Sequence, residues 1–201
     1  MKIHALLTAL LLIAANNLTA AEPAKVGSPA PAFSATDAKG KTHSLADYKG
    51  KYVVLEWFNP ECPFVKKHYG SGNMQKLQEE YSAKGIAWLS VDSSAPGKEG
   101  HLTAESATKQ MGDWKMSHTT LLLDGDGKVG QAYGAKNTPH MFIISPEGNL
   151  IYQGAIDSKA SPNPADIPDS TNYVKAALDE AMAGRPVATA TTKPYGCSVK
   201  Y

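Results

Sequence analysis

Residues 52–65 read Y-V-V-L-E-W-F-N-P-E-C-P-F-V and carry the clearest structural signal in the chain. Most of the first seven are β-branched or aromatic, as in a strand buried on both faces, and Glu56 is the one acid among them. Pro60 and Pro63 end the strand, and proline suits the first turn of a helix because its missing N–H has no intrahelical partner there. The stretch therefore predicts a central strand followed at once by a helix, with Cys62 at the junction.

The elements around this stretch alternate between strands and helices. A turn at 37–41 separates two short strand-like runs, which predicts a β-hairpin. Glycines at 70 and 72 should break the first helix. Further elements follow: strands at 86–91 and 119–123, a helix at 104–111, a second hairpin of 141–144 with 150–153, and a last helix ending at Gly184. This order predicts an α/β domain with a mixed central sheet flanked by helices and an N-terminal hairpin extension.

Residues 1–21 have the pattern of an export signal. Lys2 gives a basic start, residues 5–15 are an apolar run, and small residues follow. The run is about half the ~20 residues that a membrane helix needs, and no later stretch is longer and apolar, so we expect no membrane insertion. We expect a periplasmic or secreted protein with a domain at 22–186 and a C-terminal tail at 187–201 that lacks periodicity.

Composition and charge narrow the classes of partner. The chain has 201 residues, 42% of them hydrophobic, which is enough for a well-filled core. The formal net charge is +1 and falls to zero without residues 1–21, which argues against a nucleic-acid partner. The two cysteines, Cys62 and Cys197, can pair in an oxidising compartment, either as a reactive couple or as a static staple.

Several motifs together give a family resemblance. They are F-N-P-E-C-P-F-V at 58–65, G-S-P-A-P-A-F at 27–33, D-G-D-G-K at 124–128, T-P at 138–139 and P-Y-G-C-S-V-K at 194–200. The chain resembles the thioredoxin superfamily, in particular the redoxin branch that includes the alkyl hydroperoxide reductase/thiol-specific antioxidant proteins. Its tail is similar to the G-C-x-I-K ending of a subgroup with a single-cysteine C-P-[FY]-V site. The resemblance covers about residues 26–201 and implies a thioredoxin-like fold.

Cys62 is the candidate nucleophile. At the start of a helix, unpaired N–H groups and the positive end of the dipole favour a thiolate. Lys66, Lys67 and His68 follow within two turns and add positive charge, whereas Glu61 opposes it. The alternative is a buried cysteine that only fills space. We expect a reactive cysteine with a lowered pKa.

The second cysteine of a thioredoxin-type C-x-x-C motif is missing, because Val65 stands in its place. The resemblance implies a resolving cysteine elsewhere, and Cys197 is the candidate. The alternative is a structural disulfide that ties the tail to the core.

The resemblance implies roles for three further residues. Glu56 stands where thioredoxin has its buried acid, and a carboxyl there could exchange a proton with Cys62. The alternative is a glutamate that faces the edge of an alternating strand. Thr138 and Pro139 match the superfamily's cis-proline, where main-chain groups of Thr138 would bind a polypeptide beside the sulfur. An ordinary trans turn is the alternative.

Metal binding is the less favoured interpretation. The D-G-D-G motif at 124–127 is similar to a calcium loop but lacks the later glutamate, so we expect a hairpin turn there. Four residues could in principle meet around copper or zinc: Cys62, His68, His140 and Cys197. The exported copper-delivery relatives of thioredoxin use a C-x-x-x-C pair, and residue 66 here is Lys. We expect no metal and no cofactor.

These features predict an exported thiol–disulfide oxidoreductase in which Cys62 attacks and Cys197 resolves. Its expected partners are a protein disulfide or thiol and an external dithiol reductant. A thiol peroxidase is the runner-up, although Asn59 stands where peroxidases of the branch carry threonine, and Arg185 follows the last helix rather than the motif. A metal-delivery or protein-binding module without turnover is the third possibility.

Overall fold

The computed structural model describes residues 23–201. The predicted export signal at 1–21 lies outside the described residues. Between residues 23 and 201, no helix is long and apolar enough to cross a bilayer.

Across the described residues the chain forms nine strands and five α-helices. The strands are β1 (Ser34–Asp37), β2 (Thr42–Ser44), β3 (Val53–Trp57), β4 (Ala87–Asp92), β5 (Thr120–Leu123), β6 (Asn137–Thr138), β7 (His140–Ile144), β8 (Leu150–Gly154) and β9 (Cys197–Ser198). The helices are α1 (Pro63–Gly70), α2 (Asn73–Ala83), α3 (Ala104–Asp113), α4 (Lys128–Tyr133) and α5 (Tyr173–Met182).

Seven strands form one mixed sheet in the order β2-β1-β5-β4-β3-β7-β8. β3 pairs in parallel with β4, and β4 with β5, whereas the other neighbours are antiparallel. The predicted mixed sheet and both hairpins are confirmed. The N-terminal hairpin is also part of this sheet, because β1 pairs with β5.

The sheet has a hydrophobic cluster on each face, which explains the apolar run of β3. Val54 joins the cluster that α1, α2 and α5 cover. Val53 and Leu55 join the cluster on the opposite face, against α4 and the N-terminal segment. Glu56 lies two residues from Val54 and so shares its face of the sheet. The alternating core positions fix the register of β3 and therefore the place where α1 begins.

The predicted hairpin turn at 124–127 is wrong, because the segment starts α4. Gly127 caps this helix with a φ of 71°, in the left-handed region that glycine enters easily. The Asp124 carboxylate accepts hydrogen bonds from the N–H groups of Val129 at 3.0 Å and Gly130 at 2.8 Å. These bonds satisfy N–H groups of the first helical turn, which is the usual role of a capping acid.

The tail, for which the sequence shows no periodic pattern, is bound along its length. Main-chain hydrogen bonds join Gln153 to the tail residues Ala190 and Thr192. Near the end of the chain, Val199 N–H donates to the Lys136 carbonyl at 3.0 Å. Between these anchors, β9 pairs antiparallel with β6. The tail therefore returns to the edge of the domain that carries Thr138.

Candidate active site

Cys62 lies at the junction of β3 and α1. It is the residue just before the helix and has an extended backbone, with Pro63 as the first helical residue. Its side chain is 0% exposed. The register of β7 with β3 places Trp57 opposite His140, which brings residues 138–139 beside the start of α1. The thiol of Cys62 accordingly donates to the Thr138 carbonyl at 3.1 Å.

The tail brings Cys197 to the same place. Cys197 stands opposite Thr138 in the β6–β9 register, and Thr138 is the residue whose carbonyl accepts from Cys62, so the two thiols are neighbours and each affects the pKa of the other. Gly196 has a φ of 118°, and a Cβ there would stand 2.1 Å from the Thr138 carbonyl oxygen. Only glycine therefore lets the tail lie this close to Thr138. Both cysteines are free thiols in the structure.

The surroundings of the two thiols shift their pKa values in opposite directions. Burial raises the pKa of Cys62, but the Cys197 thiol, the nearby Thr138 hydroxyl and the Val65 N–H, all of which can donate to the thiolate, outweigh it, so the pKa lies below the usual range. Burial and the hydrogen bond to Cys62 raise the pKa of Cys197 to about 12. Within the described residues, the buried hydroxyl Oγ1 of Thr138 has no hydrogen-bond partner. It is a donor that the Cys62 thiolate can use. The pair therefore favours a thiolate on Cys62 and a thiol on Cys197.

Glu56 is fully buried beneath α1 and α2. Its carboxylate accepts hydrogen bonds from Tyr69 Oη (2.8 Å), Trp88 Nε1 (2.8 Å), Gln78 Nε2 (3.2 Å) and Ser90 Oγ (3.2 Å). Burial raises the pKa of Glu56, and the four donors offset this only in part. Its hydrogen-bond partners do not include Cys62, and its link to α1 runs through Tyr69. The structure thus brings Cys62, Cys197 and Thr138 together and holds Glu56 in a separate polar cluster.

The peptide bond between Thr138 and Pro139 is cis. The resemblance assigns the main chain of Thr138 to a bound polypeptide, and here the tail pairs with it. The tail of the same chain therefore already occupies the main-chain edge at Thr138.

Asn59 joins the loop at 99–100 to the turn before α1 through both ends of its amide. Its Oδ1 accepts from the Glu61 N–H at 2.8 Å, and its Nδ2 donates to the Glu99 carbonyl at 3.2 Å. A Cβ on Gly100 would stand 2.2 Å from the Asn59 side chain, so the loop fits only with glycine there. Arg185 lies elsewhere, after α5, where it lines a pocket of about 340 Å³. Cys62 is not among the residues that line this pocket.

The four residues considered as metal ligands do not meet. His68 contacts Asp157 and Tyr195, and the His140 ring packs against Phe142 at 4.4 Å between ring centroids. Over residues 23–201, no three potential His, Cys, Asp or Glu ligands come together.

The structure brings together three residues that the sequence analysis did not connect: Lys67, Asp157 and Tyr195. From the sequence, Lys67 was expected only to add positive charge near Cys62. Lys67 Nζ donates to Asp157 Oδ2 at 3.2 Å, and the two side chains are 0% and 2% exposed. Tyr195 Oη donates to the other oxygen of Asp157. The signal in the sequence was Tyr195 two residues before Cys197, in a tail with few other large side chains.

Comparisons with known proteins bear on the fold and on the class of reaction. The model of the AhpC/TSA family matches residues 26–153, which include Cys62 and Thr138 but end before the tail. Thiol-disulfide oxidoreductase ResA of Geobacillus thermodenitrificans is 30% identical over 138 residues, 69% of this chain and 74% of that protein. ResA of Bacillus thuringiensis subsp. konkukian is 29% identical over 135 residues, 67% of this chain and 72% of that protein.

Solved structures show the same fold. An uncharacterized conserved protein from Geobacillus kaustophilus matches with a TM-score of 0.75 and 27% identity, over 88% of this chain and 92% of that one. The thioredoxin domain of a thiol-disulfide oxidoreductase from Bacteroides vulgatus matches with a TM-score of 0.52 and 25% identity, over 72% and 96%. The family match spans more than half of the sequence, and with its thioredoxin-like fold the chain belongs to the AhpC/TSA family.

Proposed function

We propose that the protein is an oxidoreductase acting on thiol and disulfide groups, with Cys62 as nucleophile and Cys197 as resolving cysteine. The observation that carries this proposal is that Cys197 pairs with Thr138, the residue whose carbonyl accepts from the Cys62 thiol. The opposite pKa directions of the two thiols support it, since the attacking sulfur must be a thiolate. Relatives named thiol-disulfide oxidoreductases support the reaction class.

The geometry suits a two-step exchange. The Cys62 thiolate attacks one sulfur of a substrate disulfide, which forms a mixed disulfide and releases the first substrate thiolate. Cys197 then gives up its proton and attacks the Cys62 sulfur, forming the Cys62–Cys197 disulfide. The second substrate thiolate leaves and takes up a proton. Two electrons pass to the substrate, and an external dithiol restores the two cysteines.

The expected partners are therefore a protein disulfide and an external dithiol reductant. A disulfide couple persists in oxidising compartments, which fits export directed by residues 1–21. In that proposal residues 22–186 form the catalytic domain and residues 187–201 the tail that supplies Cys197. Thr138 and Pro139 bind the substrate polypeptide, and Glu56 supports α1 from below through Tyr69.

The test is to trap the mixed disulfide. We expect Cys62→Ser to abolish reduction of a protein disulfide, and Cys197→Ser to accumulate a covalent complex with it, visible by non-reducing gel and mass spectrometry. The matched control is Ser198→Ala, the neighbouring exposed residue of the tail, which should turn over normally. Normal turnover by Cys197→Ser, without a trapped complex, would show that Cys197 does not resolve.

A thiol peroxidase is the second candidate, favoured by the family match. There the Cys62 thiolate would attack the peroxide and break its O–O bond, so that Cys62 takes one oxygen as a sulfenic acid and the other oxygen leaves, with a proton, as water or an alcohol. The Cys197 thiol would then condense with the sulfenic acid to give the disulfide and water. Such a reaction needs donors aimed at the leaving oxygen, and both ends of the Asn59 amide are already engaged. In a stopped-flow measurement, the reduced protein should therefore react with hydrogen peroxide no faster than an ordinary low-pKa thiolate does, and a rate orders of magnitude higher would favour the peroxidase.

A further inference from the structure

The tail is fastened to α1 by a cluster that we call the tail latch, made of the buried Lys67 and Asp157 and the half-buried Tyr195. The Asp157 carboxylate receives Lys67 Nζ on one oxygen and Tyr195 Oη on the other. The Lys159 N–H adds a third hydrogen bond at 2.9 Å. A buried carboxylate with three donors, one of them a cation, is a strong and directional anchor.

The latch engages α1, the helix that follows Cys62. Lys67 is on the second turn of α1, and its Nζ also lies 5.7 Å from the centre of the Tyr195 ring. The same ring packs against Phe64, with ring centroids 5.8 Å apart. Tyr195 precedes Cys197 by only two residues. The anchor and the two sulfurs therefore belong to one small region.

The latched tail covers the site. Cys62 is 0% exposed, and β9 takes up the main-chain edge of Thr138. A second polypeptide can use the same edge only after residues 196–198 have left it, since one strand edge accepts one partner. The substrate and the tail therefore compete for Thr138.

We propose that Tyr195 is a positioning residue that, through Asp157 and Lys67, holds the tail on the polypeptide-docking edge. The latched tail keeps Cys197 beside Cys62 and shields Cys62 until a substrate polypeptide displaces residues 196–198. The inference rests on the proposed function for the role of Cys197 as resolving cysteine, whereas the shielding of Cys62 does not depend on it.

The test measures how often the tail opens, in a Cys197→Ser background that leaves Cys62 as the one thiol. When opening is fast and rare, the rate of Cys62 alkylation by iodoacetamide follows the open population. Tyr195→Phe removes the hydrogen bond to the buried Asp157 carboxylate, together with the longer contact of the hydroxyl with His68 Nε2 at 3.4 Å, and keeps the ring. We expect alkylation to accelerate about tenfold or more.

The matched control is Tyr81→Phe, which removes the same kind of bond away from the tail. Tyr81 Oη donates to Asp179 at 2.8 Å, between α2 and α5. This variant should alkylate within about twofold of the Cys197→Ser parent. Equal rates for Tyr195→Phe and Tyr81→Phe would overturn the proposal.

A second measurement separates tail opening from general loosening of the fold. In the tail, the Val199 N–H donates to the Lys136 carbonyl, and in the core, the Phe58 N–H donates to the Val91 carbonyl. The hydrogen-exchange rate of each N–H therefore reports on its own region. Tyr195→Phe should speed exchange at Val199 and leave Phe58 unchanged. Equal acceleration at both sites would mean that Tyr195 only stabilises the fold, and would overturn the latch.

The outcome is independent of the trapping experiment. The background variant lacks Cys197, so a failure of Cys197 to resolve would leave the alkylation rates untouched. Conversely, an unchanged alkylation rate in Tyr195→Phe would rule out the tail latch and would leave the proposed exchange between Cys62 and Cys197 untouched.

Discussion

At the residue scale, Cys62 and Cys197 are the same side chain in two different settings. Cys62 stands before α1 with donors around its sulfur, whereas Cys197 lies on the tail beside a second sulfur that competes for the proton. The hydrogen bond between them lowers one pKa and raises the other. The sequence predicted the first setting from the proline-flanked helix start, but the pairing depends on the fold of the tail.

Removing the donor should therefore raise the pKa of Cys62. Cys197→Ala removes the Cys197 thiol as a donor to the Cys62 thiolate, so we expect the pKa of Cys62 to shift upward towards the ordinary value. Cys197→Ser keeps a hydroxyl donor and should shift less. Since a thiolate forms only as pH rises through the pKa, alkylation of Cys62 in Cys197→Ala should need a higher pH. Thiolate absorbance against pH measures both variants, and an unchanged pKa in Cys197→Ala would contradict the account.

At the element scale, long periodic segments were predictable and short ones were not. The run at 52–58 and the glycines at 70 and 72 predicted β3 and the break between α1 and α2, which the structure confirms. The six-residue helix α4 was missed because its start depends on Asp124, which the sequence alone placed in a hairpin turn. The two-residue strand β9 has no period to detect, and its partner β6 lies some 60 residues earlier.

Gly196 tests the β6–β9 pairing. In Gly196→Ala the new methyl would collide with the Thr138 carbonyl and sit at a φ that L residues rarely adopt, so the tail must move. We expect Cys62–Cys197 disulfide formation to slow about tenfold or more, measured by quenching after addition of oxidised glutathione. Gly184→Ala is the control, because Gly184 also has a positive φ but open space around its Cβ position. Equal rates in the two variants would show that the pairing does not set the reaction.

At the scale of the whole molecule, the packing that buries the site also buries histidines. Burial lowers the pKa of His68 and of His118 to about 4, and that of His140 to about 3. The unfolded chain, with an ordinary histidine pKa near 6.5, binds protons first as the pH falls. Each buried histidine therefore stabilises the fold above that pH, and this contribution is lost as the pH falls towards the folded-state pKa.

His140→Gln isolates one of these contributions. Glu56, whose pKa is raised, acts in the opposite direction, but it is present in both proteins and cancels in their difference. Below pH 6.5, the unfolding free energy of the wild type should fall relative to the variant by about 1.4 kcal/mol per pH unit. Denaturant titrations at several pH values measure this difference. A difference that does not change with pH would show that the His140 imidazole charges freely in the folded state.

The most direct test of the account is to map the disulfide that forms when the reduced protein meets oxidised glutathione. The mixture is quenched by alkylation, digested and analysed by mass spectrometry. We predict a protein lighter by two hydrogen atoms whose digest contains the Cys62 peptide joined to the Cys197 peptide. Separate glutathione adducts on Cys62 and Cys197, with no linked peptide under any glutathione ratio, would contradict the claim that the two cysteines form one redox couple.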